Sequence, residues 1–480
     1  MGLIECSALV DLTDNFTSLS SLQSLKVDSC DLALLPENFG NLITLKTLVL
    51  INLPLTSLPI SISHLSSLDT LGVVECEAIH ELPAGFCSLS SLKSLCLHAV
   101  TDLEIPENIG QLTNLNSLFL KSNFSQQPLP SSVVQLSSLT RLELDKCVLS
   151  EILKGISELT RLHELYIHSC GAMREIPESI TCLKYLEILR IVDCRGLTRM
   201  PWNLESLARL RRLEIRGCAL LRGIPTNFPH SLERLSLQIN QQLLQRQTSP
   251  PSQFPRLPGL SGLLLGAAEV TGELALSRSF SCLTRLELVL TKALQEIPFS
   301  LASVSHLRVL TIWEAAGLKF LPESLGSSLQ QLRRLHIDKA AELEELPGSI
   351  TMLQTLTCLE IHAPKLSALP ENIGALSRLR KLDLSKCSAL QHLPASLTQL
   401  ACLHNLDLTA CPIRFLPPNF ERLTRLRELQ LVDCKQLEAL PEELTQLKVL
   451  RWLTIEGSSR LFEDQDQIER LEAMHGLRFW

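Results

Sequence analysis

In LRKLDLSKCSALQHLPASLTQLAC, residues 379–402, apolar and polar residues first alternate and then give way to a leucine–proline step. The alternation predicts a short strand, with Leu382 and Leu384 on one face and Lys381, Asp383 and Ser385 on the other. Pro394 fixes its own φ and suits the first turn of a short helix or 3₁₀ segment. In the preceding LPENIGAL, Ile373 and Leu376 supply the inward stripe of such a segment at i, i+3 spacing. A unit this short cannot bury its own leucines. It needs a neighbour of the same kind on each side.

Those neighbours are present. Units begin at Leu22, Leu45, Leu68, Leu92, Leu115, Leu139, Leu162, Leu186 and Leu210, then less regularly at Leu232, Leu260, Leu283 and Leu307. The series resumes at Leu332, Leu356, Leu379, Leu403, Leu426 and Leu450. The mean spacing of about 24 residues lies in the range of leucine-rich repeats. It also explains the composition: 107 of 480 residues are leucine, while aromatics make up 4%. The predicted fold is α/β, a leucine-rich-repeat solenoid (horseshoe). Its concave face is a parallel β-sheet, and short helical or 3₁₀ segments line the convex face.

The period divides the chain into a partial repeat at 1–21, regular repeats at 22–231, irregular repeats at 232–282, regular repeats at 283–457 and a capping helix at 458–480. The irregular stretch contains QRQTSPPSQFPRLPG, whose Pro250, Pro251, Pro255 and Pro258 exclude continuous helix or strand. Such an insertion is expected in a corner loop or against a ligand. Cys6, Leu9, Leu12, Phe16 and Leu19 match the back half of a unit. The expectation is either a fragment or a chain whose first strand is covered by a missing domain or a partner.

Composition removes several function classes. A net charge of −7 argues against a nucleic-acid partner, and no apolar run is long enough for a membrane span. The N-terminus lacks a basic region and carries Glu5, unlike a secretory signal. No G-x-x-x-x-G-K-[ST], G-x-S-x-G or H-E-x-x-H motif occurs, and repeats fill the chain, so no enzyme activity and no cofactor are expected. Ten of 16 cysteines share one position after the strand: Cys6, Cys30, Cys76, Cys147, Cys170, Cys194, Cys218, Cys387, Cys411 and Cys434. No C-x-x-C pair suggests a metal, and stacked side chains point in parallel rather than at each other. Buried free thiols in a cytoplasmic, reducing compartment are expected.

The register also ranks the outward residues. Trp313, His336, Glu360 and Asp383 come from four consecutive units, with Asp338 and His362 in the adjoining column. Earlier units add Phe119, Tyr166, His168 and Arg190. Exposed aromatics beside charges suit a protein-binding hot spot. Outward groups two coils apart, roughly 9–10 Å, are too far apart to share a metal ion. A protein partner on the concave face is therefore expected at Trp313, His336, Glu360, Asp383, Tyr166 and Arg190.

LEILRIVDCRGLTRMPWNLESLAR (186–209) and LRELQLVDCKQLEALPEELTQLKV (426–449) resemble the leucine-rich repeats of plant intracellular immune receptors of the nucleotide-binding type, the disease-resistance proteins. That resemblance implies a cytoplasmic array that senses pathogen molecules, restrains a switch domain and works beside the N-terminal domains of a larger receptor. The L-P-x-x-[IF] segments are also similar to the stand-alone Ras-group repeats, which implies the alternative of a scaffold in small-GTPase signalling.

Overall fold

The computed structural model describes residues 1–6, 9–100, 103–121, 128–149, 153–222, 225, 227–238, 257, 259–267, 282–290, 295–297 and 304–458. Apart from Leu257 and Gly259, the proline-rich insertion lies outside the described residues, as does, apart from Ser458, the expected capping helix. The chain forms two compact units, Met1–Gln247 and Thr248–Trp480.

The first unit contains β1 (Gly2–Ile4), β2 (Ser24–Asp28), β3 (Thr47–Ile51), β4 (Thr70–Val74), β5 (Ser94–His98) and β6 (Ser117–Lys121). It continues with β7 (Arg141–Asp145), β8 (Glu164–His168), β9 (Ile188–Val192), β10 (Arg212–Arg216) and β11 (Arg234–Gln238). The second unit contains β12 (Gly262–Ala267), β13 (Arg285–Leu290), β14 (Val309–Trp313), β15 (Arg334–Ile337) and β16 (Cys358–Ile361). β17 (Lys381–Asp383), β18 (Asn405–Asp407), β19 (Glu428–Gln430) and β20 (Trp452–Thr454) complete it. Within each unit every strand pairs in parallel with its chain neighbour and without register slip, so Leu359, Leu382, Leu406 and Leu429 fall in one row.

The alternation read from the sequence holds. Leu382 and Leu384 are fully buried, while Lys381 and Ser385 are half-buried. Asp383 departs from the pattern, being buried despite its outward position. After the strand, Leu390 enters the core and a 3₁₀ turn follows at Ala395–Gln399. Pro394 sits one residue ahead of that turn in extended conformation, rather than inside it. There its carbonyl accepts the Leu397 N–H at 3.0 Å, and Leu397 in turn accepts from Leu400 at 3.1 Å. The proline thus loses no hydrogen bond, and Leu397 and Leu400 face inward.

The strand-to-loop corner of the coil takes a left-handed backbone conformation. Glu75, Lys146, Ser169, Asp193, Glu314, Lys339, Lys386, Ala410 and Asp433 all have φ between 52° and 65°. Each immediately precedes the cysteine-column position. This left-handed residue turns the chain out of the strand, and the next side chain drops into the core. Gly217 occupies the same corner, where a Cβ would strike Asp193 Oδ1.

Nine of the ten column cysteines are buried, Cys6 is half-buried, and all 16 cysteines are free thiols. The thiols also tie successive coils together. Cys387 Sγ donates to the Ile361 carbonyl at 3.3 Å, Cys411 to Leu384 at 3.1 Å and Cys434 to Leu408 at 3.2 Å. Ser458, next in the column, donates its hydroxyl to Leu431 at 2.7 Å. A small side chain with a weak donor fits a corner where a carbonyl of the preceding coil lacks a strand partner.

Candidate functional site

In the second unit, strand pairing sets Thr311, His336, Glu360, Asp383 and Asp407 side by side. Trp313 stands at the end of β14, beyond Thr311, and remains 39% exposed. Its indole ring lies 4.8 Å from the His336 imidazole, tilted by 58°, and His336 meets His362 edge-on at 5.6 Å. Three rings therefore form a continuous aromatic step across β14–β16.

Charged groups hold this step in place. His336 Nδ1 lies 2.9 Å from Glu360 Oε2, and Lys381 donates to Glu360 Oε1 at 2.5 Å. Lys381 also lies 3.4 Å from Asp383 Oδ2. His362 Nδ1 lies 2.9 Å from Asp338 Oδ1, and its Nε2 lies 3.5 Å from Asp383 Oδ1. A carboxylate only accepts, so in the neutral imidazoles the proton resides on Nδ1. The Nε2 atom of His336 is buried without a hydrogen-bond partner, and that of His362 has only the 3.5 Å contact to Asp383.

The ionisation behaviour follows from these contacts. Burial pushes Asp383 up, but His362, Ser385 and Lys381 outweigh it and hold the carboxyl far below its ordinary range. Glu360 likewise ends lowered, its burial overcome by Lys381 and His336. Asp383 and then Asp338 raise His362 against the effect of burial. Lys381 ends raised, because Glu360 and Asp383 outweigh its desolvation. The acids are therefore engaged within the ladder. Trp313 is the large apolar group this cluster leaves exposed.

Tyr166 and Arg190 lie in the first unit and form a separate cluster. The Arg141 guanidinium caps Phe119 at 5.1 Å and Tyr166 at 5.0 Å, and Arg190 caps Tyr166 at 5.8 Å. Tyr166 donates its hydroxyl to Glu164 at 3.0 Å. Arg190 and Arg216 share Glu214, at 2.6 and 2.8 Å. The columns were legible in the sequence, whereas the bonds between coils were not. The Asp383–Ser385 turn was also missed, although D-L-S at 383–385 and D-L-T at 407–409 signal it. Among the described residues no group of three His, Cys, Asp or Glu side chains could hold a metal ion, and no helix is long and apolar enough to cross a membrane.

Residues 6–123 and 359–478 match the family model described as leucine-rich repeat region. No curated protein matches the chain. Among solved structures, a leucine-rich-repeat protein of Leptospira interrogans is 26% identical, with a TM-score of 0.52, over 87% of this chain and 91% of its own. TLR13, solved in complex with single-stranded RNA, is 20% identical with a TM-score of 0.52, over 91% of this chain and 65% of its own, a likeness of fold alone. The period, the stacked parallel strands and these similarities identify the chain as a leucine-rich-repeat solenoid.

Proposed function

We propose that the chain is a protein-recognition module whose second-unit strand face, centred on Trp313, receives a protein partner. Leucine-rich-repeat solenoids present extended binding surfaces of this kind. The observation that carries the reading is the half-exposed indole braced against His336, itself fixed by Glu360 and Lys381. A rigid aromatic anchor in a polar surround loses little entropy on binding. The resemblance of units 186–209 and 426–449 supports a finer reading, ligand sensing in plant-type intracellular defence signalling, with upstream receptor domains as further partners. Sixteen free thiols fit a cytoplasmic address. The L-P-x-x-[IF] segments support a second reading, a Ras-group scaffold in small-GTPase signalling.

The test is a pull-down from the source cell, with the captured protein identified and its binding reconstituted from purified components. Trp313→Ala should weaken that binding by about 2 kcal/mol or more. Glu371→Lys, on an exposed residue away from the strand face, should leave it unchanged. Loss with Glu371→Lys and retention with Trp313→Ala would place recognition elsewhere.

A further inference from the structure

The outward positions of β9–β11 are Ile188, Arg190 and Val192, then Arg212, Glu214 and Arg216, then Arg234 and Ser236. Four arginines there face a single carboxylate. Arg190 and Arg216 both spend their charge on Glu214. Arg212 and Arg234 are register partners on adjacent strands, are exposed, and make no ion pair among the described residues. Two like charges directly opposite each other repel.

We propose that this face docks an extended, carboxylate-rich segment of a partner protein. Charge complementarity carries the proposal, and the cluster shows its own preference, since the anion it already holds is a carboxylate gripped by two guanidinium groups. Adjacent strands stand about 4.8 Å apart, while alternate side chains of an extended peptide stand about 6.7 Å apart. Arginine side chains bridge that difference easily. A single-stranded nucleic acid fits less well, because it needs open aromatic faces for base stacking. Phe119 and Tyr166 are already capped by Arg141 and Arg190.

Fluorescence anisotropy of the full chain with fluorescein-labelled hexaglutamate tests this. Saturable binding is expected at about 50 mM NaCl, weakening steeply by about 300 mM. The double variant Arg212→Ser, Arg234→Ser should lose at least roughly tenfold in affinity. Both side chains are exposed, so an unchanged thermal midpoint should confirm that the variant is folded. Arg161→Ser, an exposed arginine outside the strands, should bind as the parent does. Absence of saturable binding, or equal binding by the double variant, would overturn the proposal. So would tighter binding of a labelled RNA octamer through the same two arginines. These residues belong to the first unit, so failure here leaves the Trp313 experiment untouched.

Discussion

Asp383 Oδ1 accepts the Ser385 backbone N–H at 3.1 Å. Asp407 does the same for Thr409 in the next coil, at 2.9 Å. These side-chain turns end β17 and β18 after three residues and explain why an outward aspartate is buried. Leu384→Ala should cost about 2–5 kcal/mol through the cavity it leaves. Asp383→Ala should cost about 0.5–1.5 kcal/mol, because the half-buried Ser385 N–H loses its acceptor. A solvated outward residue would cost within about 0.5 kcal/mol. Asp383→Asn, which keeps an acceptor oxygen, should fall between. Urea unfolding decides the matter: a negligible cost for Asp383→Ala would show the turn bond to be idle.

Lys386 is exposed and has φ of 65°. A β-branched residue is strongly disfavoured in that region. Lys386→Ile should therefore destabilise by about 1–2 kcal/mol despite touching solvent. Lys386→Gly should be near neutral, since relief of the left-handed strain offsets the added chain entropy. Thermal unfolding of the two variants checks this, and a harmless isoleucine would contradict the corner geometry.

The contrast between these residues shows what the sequence could reveal. Leu382 and Leu384 were legible because one period of two and another of about 24 both place them inside. Lys386 was not legible as a left-handed corner. Its equivalents are Glu, Ser, Asn, Asp, Lys and Ala, with glycine at Gly217 and Gly457. Coil closure imposes the conformation there, overriding local preference. The outward columns were legible for the same reason as the core. The network was not, because His336 reaches Glu360 across 24 residues, through rotamers that no periodicity specifies.

The cysteine column makes a chemical prediction. Burial pushes Cys387 up to about 11 and Cys434 up to about 12. Thiolate is the reactive form, so these groups should resist alkylation at neutral pH. Cys182 and Cys282 are exposed and should label quickly, with Cys6, Cys96 and Cys402 slower. Denaturation should release all 16. Mass spectrometry after brief native labelling distinguishes the groups, and fast modification of Cys387 or Cys434 would refute their burial.

The last prediction concerns pH. His362 is raised above its ordinary value by Asp383 and Asp338, so the folded state favours its protonated form. That stabilisation is fully present below the unfolded pKa, about 6.5, and disappears as pH rises through the higher folded value. Asp383 has the opposite sign: held low, it contributes above about pH 4 and loses that contribution as pH falls. The His362–Asp383 link is therefore strongest between about pH 4 and about pH 6.5. His362→Gln cannot carry the charge. Its loss of thermal midpoint relative to the parent should be larger at about pH 5.5 than at about pH 8.5. Differential scanning calorimetry at the two values measures this. Equal losses would mean that the imidazolium contributes nothing and that His362 acts in the ladder as a packed ring.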